Sequence, residues 1–218
     1  MSEVVEEPAW RRRAVERSTR AAKLRAEQRV QRFLDAAQEL MAEKGTTDFT
    51  VQEVVDRSRQ SLRSFYQHFD GKHELLLALF EDALAAGAAE VREAAERRCE
   101  PLPRLRAAVE TLYGQCRPTP GESRPLFSDF ALRLLVSHPP QVAAAHRPML
   151  DVFTELVEEA AAAGAVRPGR PRRQAALVMQ TVIFTAHSSG GGDGSAVPMT
   201  APEIWQFCLR GITAPAAD

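Results

Sequence analysis

The stretch from Thr50 to Leu77, TVQEVVDRSRQSLRSFYQHFDGKHELLL, limits the fold more tightly than any other part of this chain. Thr50 stands where a helix N-cap would, and Glu53 completes a capping box in which each residue satisfies a backbone donor of the other. Val51, Val54 and Val55 then fall at the i, i+3, i+4 spacing of one buried helix face. Ser61 is placed to cap a second short helix, whose Leu62, Phe65 and Phe69 make an apolar stripe at i, i+3, i+7. Arg63, Ser64, Tyr66, Gln67 and His68 share its remaining faces. Two helices of roughly two turns, joined by about four residues, have the proportions of a helix-turn-helix whose second member enters the DNA major groove. Helices this short are marginal in isolation and need longer neighbours to pack on. The periodic segments before Gly45 and after Gly71 supply them.

Phe65-Tyr66-Gln67-His68-Phe69, followed by Gly71-Lys72 and Glu74-Leu75-Leu76, resembles the recognition-helix signature of the TetR (tetracycline-repressor) family. The spacing from Gly45 to Thr50 and Val51 is similar to that family's first turn, and the resemblance covers about residues 29–80. One departure stands in the turn: where the family has a small residue, Gly and an aliphatic residue, this chain has Ser58, Arg59 and Gln60. A non-Gly residue in a left-handed turn position is strained by about 1 kcal/mol. The resemblance implies an all-α chain with an N-terminal three-helix DNA-binding domain and a C-terminal helical ligand-binding and dimerisation domain. It further implies a homodimer through the two C-terminal helices, an effector pocket among the C-terminal helices, and repression. An effector that changes the separation of the two DNA-binding units must, by linkage, bind the DNA-incompetent state better.

Composition narrows the alternatives. At 44% hydrophobic and 26% charged residues over 218 positions, the chain has a globular balance and length for one or two domains. No apolar run approaches the ~18 residues of a membrane span. The charged N-terminus has no apolar segment behind it, so no signal peptide is expected. Cys99, Cys116 and Cys208 are odd in number and far apart, which fits idle thiols in a reducing cytoplasm better than disulfides or zinc. A net charge of −1 requires any nucleic-acid contact to come from a local patch. The five histidines show neither a metal-ligand spacing nor a nucleophile elbow, and GGGDG lacks the flanking elements of a phosphate loop. No enzymatic activity, cofactor or metal is expected.

Three segments follow. Residues 1–24 read as a flexible N-terminal arm, acidic over 1–9 and then basic: from Trp10 to Arg32 nine cations face two anions. Arg11, Arg12 and Arg13 lie within it, and such arms follow phosphates or the minor groove; a solvated, partly helical tail is the alternative. Residues 25–71 read as the helix-turn-helix domain. Its first helix is expected from about Arg25 to Lys44, with Val30, Phe33, Leu34, Ala37, Leu40 and Met41 inward and Gly45 as its stop. Residues 72–218 read as the helical C-terminal domain. A helix of about 28 residues, ~42 Å long, runs to Cys99. Others are expected over about 102–116, over 125–136 buried nearly all round, and over 141–163 up to Gly164. The apolar helix at 174–187 and a last one capped by Thr200 and Glu203, with Ile204, Phe207 and Cys208 on one face, suit a two-fold dimer contact.

Within the helix-turn-helix, Arg63 and Gln67 are the candidates for base contacts, since Arg pairs with guanine and Gln with adenine. Thr50, Tyr66, His68 and Lys72 suit phosphates, the resemblance favouring Tyr66 and Lys72, and Gln60 and Ser61 lie beside them at the turn. The effector pocket draws on Tyr113, Phe127, Phe130, Met149, Phe153, Phe184 and His187, a set suited to an apolar or aromatic compound with one hydrogen-bonding group. The competing function is a helical interaction protein in which Phe65, Tyr66 and Phe69 are core aromatics and no specific DNA is bound.

Overall fold

The computed structural model describes residues 9–117, 127, 130–188 and 199–213, and of residues 9, 11–15 and 188 the backbone only. Ten α-helices and no strand are found among the described residues. The chain divides into two compact units, Met1–Leu79 and Phe80–Asp218.

The first unit is built on α1 (Ala9–Lys44). Phe33, Leu34, Ala37, Leu40 and Met41 are buried on one face as the spacing predicts, and Gly45, at φ 64°, ends the helix in the left-handed region. The start differs from the expectation. The helix begins at Ala9, so residues 9–24, expected as a flexible arm, are helical. Ala and Arg both favour helix, and no Pro or Gly interrupts the sequence between Ala9 and Lys44. The acidic residues 1–8 lie outside the described residues.

Helix α2 (Val51–Ser58) opens on the predicted capping box, with Glu53 N–H donating to Thr50 Oγ1 at 3.2 Å and Thr50 N–H donating to Glu53 Oε2 at 2.7 Å. Helix α3 is shorter than expected, Leu62–Tyr66, and Phe69 reaches the core from the turn beyond it. Leu62, placed in the apolar stripe by its spacing, is largely exposed, because five residues bury one narrow face and that face is centred on Phe65. Phe65 is 0% exposed and sets its ring against Phe33, Tyr66 and Phe69 at centroid distances of 5.4 Å each. Helix α4 (Lys72–Glu96) follows, and its Leu75, Leu76 and Leu79 complete this core. It ends a little before the expected Cys99.

In the second unit, Pro101 starts α5 (Pro101–Cys116) at the position where a missing N–H costs nothing. Residues 118–126, 128 and 129, which include most of the start of the helix expected over 125–136, fall outside the described residues. What is described is α6 (Ala131–Ser137), and it is not buried all round: Leu132, Leu135 and Val136 are exposed and Leu134 alone of its residues is buried. The helix expected over 141–163 is two helices, α7 (Pro139–Ala145) and α8 (Arg147–Ala162). They part at His146, because Pro148 has no N–H to extend the α7 ladder. Gly164, at φ 70°, closes α8.

Helices α9 (Pro171–Ser188) and α10 (Ala201–Ile212) pack on each other and on α5, and α8 packs on α5 and α9. Leu105, Val109, Phe153, Val157, Val182 and Trp205 lie in the shared core. The predicted box at α10 forms, with Thr200 N–H donating to Glu203 Oε2 at 2.7 Å. The face of α10 is rotated from the expectation: Ile204, Trp205, Cys208 and Ile212 are buried, whereas Phe207 is exposed. At 100° per residue the four buried positions span one arc of about 100°, and Phe207 falls about 60° outside it. The GGGDG segment lies outside the described residues, as does all of 189–198.

Candidate nucleic-acid interface

The turn between α2 and α3 is the geometric centre of the site. Arg59 adopts φ 54° and ψ 34°, the left-handed conformation usual for Gly, and its N–H returns to the carbonyls of Val55 and Asp56. Gln60 N–H also donates to the Val55 carbonyl, at 3.3 Å. Ser61 then caps α3, its Oγ accepting from Ser64 N–H at 3.1 Å. The departure at Ser58-Arg59-Gln60 thus leaves the sharp turn intact, with the strain carried by Arg59.

Three cations make ionic contacts that tie the helices of this unit together, and sequence reasoning missed them. Arg57, in the last turn of α2, donates through both terminal nitrogens to Glu43 of α1 at 2.7 Å each, and to Glu39 at 3.3 Å. Arg57 holds the Glu43 carboxyl below its ordinary range, and the two glutamates raise the guanidinium pKa. Lys44 Nζ lies 2.6 Å from Glu53 Oε1 and lowers that carboxyl to about 2, with help from the Thr50 backbone and hydroxyl. Lys72 Nζ stands 4.9 Å above the centre of the Phe49 ring and 4.0 Å from Asp48 Oδ1. The available signal was Glu39 and Glu43 at i, i+4 beside the buried face of α1, facing a single arginine in α2.

The predicted contact residues divide by angle around α3. Arg63 and Gln67 are exposed opposite Phe65, and Tyr66, to one side of them, is 56% exposed. Ser64 does not lie on this face. It is 9% exposed, and its Oγ is buried without a hydrogen-bond partner. His68 is half-buried with Nε2 in the same condition. Ser64 stands next to the buried Phe65 in α3, and His68 next to the buried Phe69 in the turn beyond it. Thr50 is exposed, but its hydroxyl donates to Glu53 and accepts from the Glu53 N–H within the cap. Gln60 is half-buried, Ser61 exposed and Lys72 half-buried. The side chains of Arg11, Arg12 and Arg13 lie outside the described residues.

The predicted effector residues do not form one group. Tyr113, Met149 and Phe153 are buried in the core of the second unit, and the Tyr113 hydroxyl donates to the Met199 carbonyl. Phe127 and Phe130 gather around Phe80, at 5.7 and 6.3 Å between ring centres. Phe184 is 73% exposed and His187 is exposed too, so neither joins the others. The buried face of α9 runs through Ala175, Val178, Met179, Val182 and Ala186, and Phe184 sits diametrically opposite.

Two capped helices, a left-handed turn and a second helix with polar residues facing outward define a helix-turn-helix unit. Residues 33–79 match the family model of bacterial regulatory proteins, tetR family, and this segment is therefore similar to the DNA-binding part of that family. The chain is similar to the HTH-type transcriptional activator FasR of Mycolicibacterium smegmatis, 35% identical over 97 residues, 43% of each protein. The match therefore spans about two fifths of that relative's length. Two solved structures share the fold over most of the chain. Thermus thermophilus FadR, a TetR-family repressor in complex with lauroyl-CoA, has TM-score 0.63 and 22% identity, covering 83% of this chain and 91% of that one. Bacillus subtilis FadR, in complex with stearoyl-CoA, has TM-score 0.58 and 15% identity, covering 84% and 98%.

Proposed function

We propose that this chain is a transcriptional regulator that binds a palindromic operator as a homodimer and is released from it by a small apolar effector. The observation that carries the reading is the pairing of the Arg59 turn with the outward face of Arg63, Tyr66 and Gln67. A major-groove reader needs an aimed helix and side chains that match base edges, and this unit has both. Arg63 and Gln67 read bases, while Tyr66, Ser61 and Lys72 hold phosphates.

Exposed Leu177 and Phe184 on α9 and Phe207 on α10 supply an apolar face suited to a second copy of this chain. Two-fold symmetry in the protein then requires two-fold symmetry in the operator. The effector is an apolar group held by the aromatic residues around Phe80; the acyl-CoA molecules in the two FadR structures carry such a group in their acyl chain, joined to an anionic CoA. The regulator works in the cytoplasm as a repressor. The same DNA-binding geometry serves activation equally, as the name of the FasR relative illustrates, so position relative to the promoter sets the sign.

The test is to incubate the protein with sheared DNA from its source, recover bound fragments and titrate the best one against salt. A palindromic fragment bound by dimers, released by an acyl-CoA, is the expected result. Recovery of no selected fragment would favour the interaction-protein reading instead.

A further inference from the structure

We propose that Arg25, Arg29 and Arg32 form a phosphate-binding rail on α1 that extends the DNA contact beyond the helix-turn-helix. The inference rests on the DNA-binding reading above, and concerns residues that neither α2 nor α3 contains.

The rail follows from a periodicity that runs through α1. Positions 25, 29, 32, 36, 39 and 43 repeat at spacings of 4, 3, 4, 3 and 4, which keeps them on one side of the helix. A seven-residue repeat drifts only about 20° per heptad on a straight helix, so the stripe stays coherent over its length. Its C-terminal end is located by contacts: Glu39 and Glu43 meet Arg57 of α2. The N-terminal end, Arg25, Arg29 and Arg32, therefore continues along the side of α1 that α2 occupies. All three arginines are exposed, and none forms an ion pair among the described residues.

Nothing in the fold asks for this arrangement. The first fully buried side chain of α1 is Phe33, so the three arginines support no core. Like charges one turn apart repel and weaken a helix. Glutamates at one of these positions would have stabilised it, as Glu27 does for Lys23 at 3.8 Å. The nearby acids are otherwise engaged: Asp35 accepts from Gln31 at 2.8 Å, and Arg57 neutralises Glu39 and Glu43. Three unopposed cations thus lie along about 10 Å of helix, at 1.5 Å per residue. A DNA strand presents a phosphate about every 3.4 Å of duplex axis, so the rail has the length of about three phosphate steps.

Counterion release gives the test. Binding of the full chain to a short mixed-sequence duplex is followed by fluorescence anisotropy across a salt series. Removing one cation from a phosphate lowers the slope of log K against log salt by about 0.9. R25A/R29A/R32A is expected to lower the slope by about 2 to 3, and R25K/R29K/R32K to retain it. Circular dichroism confirms that each variant keeps its helix content; Ala is itself a strong helix former. A triple-alanine variant of full helicity with the unaltered slope would overturn the rail while leaving the regulator reading in place. Absence of salt-dependent binding by the unaltered chain would overturn both.

Discussion

Lys44 Nζ sits 2.6 Å from Glu53 Oε1, and the other oxygen of the same carboxylate accepts from the N–H and hydroxyl of Thr50. One side chain thereby joins the end of α1, the N-cap and the first turn of α2.

Acid should loosen this junction. Glu53 is held at about 2, below its ordinary 4.5, by Lys44 first and Thr50 next. A folded-state pKa lowered in this way adds stability that is complete above about pH 4.5 and is lost as the pH falls towards 2. Thermal unfolding at stepped pH should show a falling midpoint across that window, less steep in Glu53→Gln. Equal acid dependence in the two proteins would remove Glu53 from the junction.

Arg59→Gly should stabilise the first unit. An L-residue in the left-handed region costs about 1 kcal/mol, part of which Gly returns as chain entropy when unfolded. The net gain is expected at up to ~1 kcal/mol, read as a higher denaturant midpoint at unchanged slope. A β-branched residue at the same position should act in the opposite direction.

Phe65→Ala should be among the most damaging single changes in this unit. The ring is fully buried against three others, and emptying such a site costs about 3–5 kcal/mol. The transition assigned to the first unit should drop steeply or vanish, and DNA binding with it. Retained cooperative unfolding near the original midpoint would contradict the assigned core.

Arg63→Ala should cost about 1–3 kcal/mol on the selected operator and relax preference at one base pair. Tyr66→Phe should weaken all sequences alike, since a phosphate contact carries no sequence information. Binding to a panel of single-base operator variants separates these outcomes; uniform loss in Arg63→Ala would reassign it to a phosphate.

Replacing Leu177, Phe184 and Phe207 together by Glu should leave each chain folded and abolish the dimer. All three are exposed in the single chain, so the change removes little from its core. Analytical ultracentrifugation should report a monomer, with operator affinity falling because one half-site is bound at a time. A persistent dimer would place the interface elsewhere.

The sequence was most informative where short-range chemistry decides structure. The boxes at Thr50 and Thr200 and the stop at Gly45 each depend on residues within a few positions. It was least informative where a face had to be oriented. Ser64 and Arg63 are adjacent and equally suited to DNA by residue type, yet one turns towards Phe65 and the other away. Phe207 was expected on the buried face of α10 and is exposed for the same reason: a hydrophobic residue does not announce which side of a helix will meet a neighbour. The Arg57 clamp was missed because its partners lie fourteen and eighteen positions back in the chain, so that only the pairing of α1 with α2 gives their spacing a meaning.

That clamp also changes how charge in this unit should be counted. Arg57 and Lys44 are bound inward by Glu39, Glu43 and Glu53, so they hold the helices in register and have little field left to offer a polyanion. An inventory of basic residues therefore overstates the ions a duplex would shed on binding. Arg57 and Lys44 thus serve stability and not affinity, whereas Lys72, beside Asp48 and Phe49, is placed to serve both.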